Sequence, residues 1–493
     1  MNELNKLLEI KNCESVSLDK VPILNIDDFR NTIIEEVQKD NNYISSFFAM
    51  PDNEMFRLFA VIANPSKHIL NIISSYVSDS YESLTPLCPQ VHLFEREIFE
   101  EFGIYPNGHP WLKPVRKKNL VDDSDYNFFK VDGEEIHEVA VGPVHAGIIE
   151  PGHFRFQCLG EKVFHLEISL GYQHRGIEKS LIGSPNKKTS NIMETIAGDT
   201  SIGHSLAYSQ LCESLSKTKI SKRAEYIRGI ALELERIANH TGDLGALAGD
   251  IGFLPTSSYC GRIRGDFLNM TALLCGNRFG RNLIINAGVN YDITQNEIND
   301  LKNKISHSHN ELKQSVSLLW ETNSVMNRFI DTGKLNNSDC VNLGILGLPA
   351  RSCGFEKDVR LNFPTGIFND YQIPISIHDS GDIYSRAYVR WLEIENSVKF
   401  IQELLENIPS GEISQTMGAL NSESISVSLV EAWRGEICHV GITDNNGKFK
   451  HYKIVDPSFH NWSGLAIAMR DEQISDFPLC NKSFNLSYCG FDL

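Results

Sequence analysis

Two short stretches of this sequence gather residue types that can hold or pass protons. The first, Asn191 to Glu213, contains Glu194, Asp199 and His204. Its second half carries His204, Ala207, Tyr208 and Leu211 at helical spacing, which predicts the start of a helix. Just before it lies Ala197-Gly-Asp-Thr200, small and polar where a core would be apolar. The second stretch is Asp456-Pro-Ser-Phe-His-Asn461. Other candidate chemistry is weaker. None of the eleven cysteines pairs at Cys-x-x-Cys spacing, so neither a disulfide framework nor a locally held iron–sulfur cluster is expected. His145, His153, His165 and His174 fit no zinc spacing and read as structural. Arg351 and Arg386 stand near glycines, which lets a guanidinium approach a backbone or a cofactor.

The elements that must position these residues follow from composition and pattern. A chain of 493 residues, 41% hydrophobic and 22% charged, has room for two or three soluble domains. A net charge of −17 argues against a nucleic-acid surface. No apolar run can span a bilayer and Met-Asn-Glu-Leu-Asn-Lys has no signal core, so a cytoplasmic chain is expected, with any membrane role through partners. The expected fold is α+β. Residues 1–125 form an α+β unit: a strand over 21–25, a helix over 29–39 capped by Asp27 and Asp28, paired strands over 43–50 and 55–63, and a helix over 66–77. Glu95, Glu97, Glu100 and Glu101 surround Arg96 on what reads as an exposed acidic helix ended by Gly103. Asn119 to Asp132, with Asp122, Asp123 and Asp125, reads as a linker. Residues 126–493 form a second, mainly α-helical domain opened by a β unit over 136–168. Its long helices are expected over 222–249, with a polar interruption at 239–243, and over 297–328 and 387–408. A helix follows Asp456 to about Arg470, and the tail over 475–488 reads as a strand or extended arm.

Several of these segments carry a resemblance. Gln90 to Pro110, an acidic helix leading into Gly-Ile and Gly-His-Pro, resembles the signature of the 30-kDa-type subunit of respiratory complex I. Gly142-Pro-Val-His145 and Gly171 to Lys179 resemble the start of the family shared by the complex I 49-kDa-type subunit and the nickel-iron hydrogenase large subunit. Gly276 to Arg281, Asn286 to Val289, Gly347 to Gly354 and Ser380 to Arg386 resemble loops of hydrogen-evolving large subunits. The two opening stretches look like that family's paired metal motifs. Together the chain resembles the fused large subunit of formate hydrogenlyase and hydrogenase-4 type (group 4) enzymes, in a relative lacking the metal ligands.

In the family each motif is a Cys-x-x-Cys that holds nickel and iron. Ala197, Thr200, Ser458 and Asn461 occupy the four positions here, and nickel and low-spin iron need thiolate rather than neutral oxygen donors. No bound metal and no hydrogenase activity are therefore expected. Glu178, Glu194, Asp199, His204 and Asp456 would surround the vacant site as a proton-coupled cavity. By resemblance a quinone could be the bound molecule, lined by His145, His153, Arg351 and Arg386. The tyrosine the family places near Gly198 is absent. The resemblance further implies a small subunit with a [4Fe–4S] cluster, a ferredoxin-like subunit and antiporter-like membrane subunits, with this chain peripheral on the inner face of the cell membrane. The function expected is that of a core subunit of an electron-transfer and ion-translocating complex of oxidoreductase type. The alternatives are a quinone-binding subunit of an NADH- or ferredoxin-quinone oxidoreductase and a structural, energy-coupling subunit.

Overall fold

The computed structural model describes residues 7–39, 41–117, 126–145 and 150–493. The acidic run with Asp122, Asp123 and Asp125, and with it the expected boundary after residue 125, lies outside the described residues.

The chain mixes helix and sheet throughout. The N-terminal sheet orders its strands Leu8–Ile10, Ile69–Val77, Met55–Asn64 and Tyr43–Asp52, all antiparallel, with Ile23–Leu24 parallel on Ile69–Val77. Helix Ile26–Val37 packs on it, and Asn25 rather than Asp27 or Asp28 caps that helix, accepting the Asp28 N–H. The expected helix over 66–77 is a strand. Its residues are buried on both faces in the middle of the sheet, so the two-residue alternation that marks a half-buried strand is missing.

Helix His92–Phe102 ends at Gly103, whose φ of 74° is the left-handed cap that glycine favours. It is not an exposed acidic helix. Glu95 is fully buried and accepts from Ser83, Leu84 and Thr85, while Glu100 accepts the N–H groups of Val115 and Arg116. Its acids tie loops in place.

A three-stranded antiparallel sheet follows, Ile136–Val141, His153–Leu159 and Lys162–Ser169. Helices Ser201–Ser216, Lys222–Asp250, Leu254–Cys275, Gln295–Glu321 and Ile383–Asn407 form the bundle. Lys222–Asp250 runs without a break through 239–243, where Asn239, His240 Nε2 and Asp243 find partners inside the bundle. A second sheet, absent from the expected elements although Ser424 to Leu429 alternates polar and apolar residues, comes next: Ser424–Ala432, Gly435–Thr443 and Phe449–Val455, joined by Ser15–Ser17 from the N-terminus. Helix Pro457–Ala468 leaves its last strand. The tail is helical, Phe477–Phe484 and Tyr488–Phe491, not extended.

Candidate functional site between the two motifs

The helix Ser201–Ser216 starts directly after Thr200, so its first N–H groups need acceptors. Glu235, from the long helix Lys222–Asp250, supplies them: its carboxylate accepts from Ile202 N at 2.7 Å and Gly203 N at 3.2 Å. Burial, with Asp199 nearby, pushes the Glu235 carboxyl up to about 8 against those two bonds. Asp199 faces the turn between Ser424–Ala432 and Gly435–Thr443. Both its oxygens are bonded by Arg434, each at 2.7 Å. Burial would raise the Asp199 carboxyl, but the guanidinium outweighs it and holds it below the usual range. Arg434 also donates to Thr200 Oγ1 at 3.2 Å and to the Asn485 carbonyl at 2.6 Å, and its head lies 3.9 Å from the centre of the Trp433 ring. Trp433 Nε1 donates to Thr200 Oγ1 at 3.0 Å.

From the second motif, Asp456 caps helix Pro457–Ala468 by accepting Ser458 N at 2.8 Å. Its other oxygen, Oδ2, lies 3.2 Å from His204 Nε2. The line continues: His204 Nδ1 to His439 Nε2 at 3.2 Å, then His439 Nδ1 to the Tyr452 hydroxyl at 2.9 Å. All four side chains are buried. Burial, then the neighbouring His204, keep His439 well below the usual imidazole range, so its ring is neutral. One arrangement satisfies every atom: Tyr452 donates to His439, His439 to His204, and His204 to Asp456. Burial acts against the Asp456 carboxylate, but the His204 bond and Arg434 hold it below its usual range. A row of this kind can pass a proton along its length.

The four positions of the paired motifs are each committed to the protein. Ala197 is fully buried and has no donor atom. Thr200 accepts from Arg434 and Trp433. Ser458 Oγ accepts Ser487 N at 2.8 Å. Asn461 reads the backbone of Leu346 with both ends, accepting its N–H and donating to its C=O at 3.0 Å each. Among the described residues no group of three His, Cys, Asp or Glu is placed to hold a metal ion.

The remaining candidates are dispersed. The Glu194 carboxylate accepts Asn282 N, and its carbonyl accepts Ser201 Oγ at 3.0 Å. Glu178 accepts Ile454 N at 2.8 Å and pairs with Lys453 at 3.1 Å, and burial raises its carboxyl. His145 and His153 bond the carbonyls of Gly152 and Gly142 within the β unit. Arg351 and Arg386 are fully buried structural ties. Arg351 joins Glu393 and Glu431, whereas Arg386 bonds Ser483 and the Gly381 and Gly333 carbonyls. Glu393 in turn holds His240 at 2.7 Å, and Arg236 donates to the Glu431 and Ala432 carbonyls just before Trp433 and Arg434. Sequence reasoning missed Glu235, Arg434, His439 and Tyr452. For the helix a signal existed: Glu233, Arg236, His240 and Asp243 recur every three or four residues, a polar stripe that only a buried network would place there.

Residues 26–124 match the family described as respiratory-chain NADH dehydrogenase, 30 Kd subunit, and residues 250–424 match its 49 Kd subunit family. The chain is a fusion of these two domain types. Both motif stretches lie outside the matched ranges. The chain is 29% identical over 352 residues to the carbon monoxide-induced hydrogenase of Rhodospirillum rubrum, covering 71% of this chain and 97% of the relative. It is 27% identical to formate hydrogenlyase subunit 5 of Escherichia coli strain K12, covering 84% and 77%. The structure of the membrane-bound sulfane sulfur reductase, an archaeal respiratory membrane complex, contains a chain of the same fold, with a TM-score of 0.69 and 21% identity over 74% of this chain and all of that one. This fused chain therefore shares its ancestry with hydrogenase large subunits and complex I subunits alike.

Proposed function

We propose that the chain is the core subunit, of oxidoreductase type, of a membrane-associated complex that couples electron transfer to ion movement, working without a nickel-iron site. Residues 1–125 serve as its docking domain and 126–493 as its site-bearing domain. The observation that carries this reading is the fate of the four motif positions. No thiolate is present, three side chains are spent on protein hydrogen bonds, and the Arg434 guanidinium bonds Thr200 where a dication would have to sit. A fixed cation and neutral oxygens do not fit nickel or low-spin iron. What the site retains is proton chemistry: Asp199, Glu235 and the row from Asp456 to Tyr452, with Glu178 and Glu194 as outlying acids.

Among the described residues no helix is long and apolar enough to cross a membrane, so attachment falls to partners, as the membrane-bound relatives suggest. Gly198 is exposed beside the first motif, and Asp199 is 35% exposed. That face suits an approaching small subunit with a [4Fe–4S] cluster. A ferredoxin-like subunit and antiporter-like membrane subunits complete the proposed assembly. Open space at Gly198, where an added Cβ would meet nothing within 4 Å, favours a quinone headgroup as the second reading.

Elemental analysis of the complex purified with its partners tests the main reading. The expected result is iron in cluster amounts, about four per cluster, with no nickel. Stoichiometric nickel would overturn it. Quinone-dependent turnover of the same preparation then separates an electron-accepting role from a purely structural one.

A further inference from the structure

A second group of titratable residues lies on the seam where the N-terminal sheet meets the C-terminal one. Tyr43–Asp52 is an edge strand of its sheet, and a bulge between Ile44 and Ser46 makes Ser45 the extra residue. Bulges re-aim side chains and gather near functional sites. Here the strand faces Glu436, on Gly435–Thr443. The Tyr43 hydroxyl donates to Glu436 Oε2 at 2.5 Å. The other carboxyl oxygen, Oε1, is buried and has no hydrogen-bond partner among the described residues. Ser45 Oγ lies beside the same carboxyl, close enough to favour its ionised form, and His460 Nε2, on the helix that follows Asp456, lies beside the Ser45 backbone, but neither closes a hydrogen bond of full geometry. The buried Lys357 ammonium stands 4.7 Å from the centre of the Tyr43 ring, with no carboxylate in salt-bridge reach among the described residues.

Buried polar atoms are almost always satisfied, and three incompletely bonded atoms on Glu436, Ser45 and His460, beside an amine outside salt-bridge reach, call for an explanation. Direct pairing of Glu436 with Lys357 would be the cheap solution for two ionised groups, and it does not occur. We propose that Glu436, Tyr43, Lys357 and His460 enclose a hydrated proton-holding site on this seam, in which bound water completes the bonds of Glu436 Oε1, Ser45 Oγ and His460 Nε2. Water of this kind takes two to four polar partners, which these groups supply. The site takes His460 from the second motif and shares the strand Gly435–Thr443 with His439, and it does not depend on the acceptor or on the metal content.

The charges that face Glu436 act in both directions. Burial pushes its carboxyl up to about 7, Tyr43, Ser45 and Lys357 favour the ionised form, and Glu431 opposes it. Glu436 therefore exchanges its proton in the working range of a cell rather than at the usual carboxylate value.

Infrared pH titration of the purified complex tests this, by difference between the native protein and Glu436→Gln. A protonated-carboxyl C=O band belonging to Glu436 should fade as the pH rises through about 7. It should also move on transfer to D2O, because water reaches the group. Tyr43→Phe and Lys357→Gln each remove a partner of the ionised form and should shift the fading to higher pH, and these two carry the test if Glu436→Gln does not fold. Difference spectra that are flat from about pH 5 to about pH 9, a band unmoved in D2O, or a titration indifferent to both neighbours would each overturn the proposal.

Discussion

At the scale of single residues, the site is defined by what has been put in the place of metal bonds. Asn461 shows it most plainly, since one amide closes two hydrogen bonds to the Leu346 backbone. A thiol at that position could neither accept nor donate at the same strength. Asn461→Cys, the substitution that would begin to restore a metal motif, leaves a buried N–H and a buried C=O unpaired at about 1–3 kcal/mol each. We expect a loss of about 2–4 kcal/mol of unfolding free energy, read from denaturant midpoints at unchanged slope. A neutral outcome would mean that the amide is incidental and that the position remains free for a ligand. Arg434 extends the argument. It pairs with Asp199 and bonds Thr200, so the first motif position and the acid beside it are held by one guanidinium.

At the scale of elements, helices with one wet face are legible in the sequence, and buried strands only where their residue types alternate. The helix Gln295–Glu321 has an apolar stripe and a Thr294–Glu297 capping box and covers most of the expected 297–328, which breaks at Thr322 before a second helix, Asn323–Phe329. The strands Ser424–Ala432 and Gly435–Thr443 are buried at every residue, yet Ser424 to Leu429 alternates polar and apolar residues, a strand signal within the sequence; what no local pattern shows is the pairing that brings His439 and Tyr452 to His204. The strand Ile69–Val77, expected as part of a helix, has no such alternation. The tail carried usable signals, Pro478 at a helix start and Asn485 with φ 46° at its end, but eight residues are too few for a period to show. Within the bundle, the long helix touches its neighbour Leu254–Cys275 closely at Gly245, where an added Cβ would stand 2.7 Å from Cys260 Cβ. Neither backbone can yield easily in a packed pair of helices. Gly245→Ala should destabilise the chain by about 1–3 kcal/mol despite the better helix propensity of alanine, visible as a lowered Tm. An unchanged or raised Tm would show that the helix pair is looser than this contact implies.

At the scale of the whole molecule, the buried titratable groups set a pH dependence of stability whose sign can be worked out. His92, His451 and His460 are pushed by burial to about 3, and His439 well below its usual value. As the pH falls below about 6.5, the unfolded chain takes up these protons and the folded chain does not, so stability drops on acidification. Glu235 and Glu436 act the other way. They stay protonated in the fold to about 8 and about 7, while the unfolded chain releases both protons near its ordinary carboxylate value. Stability is therefore lost as the pH rises towards those values and levels off above them. Each group changes stability by up to about 1.4 kcal/mol per pH unit. His109, His165 and His240, also lowered by burial, add to the acid limb, while Glu235 and Glu436 are the acids that titrate near neutral pH. The histidines give Tm an acid limb below about pH 6.5, and Glu235 and Glu436 give it an alkaline limb up to about pH 8. Replacing Glu235 and Glu436 together by glutamine should flatten the alkaline limb between about pH 6.5 and 8 and leave the acid limb steep. Thermal scans across that range decide the matter: an alkaline limb that survives the double replacement would mean that these two acids are ionised in the folded chain at neutral pH and hold no protons for the site to use.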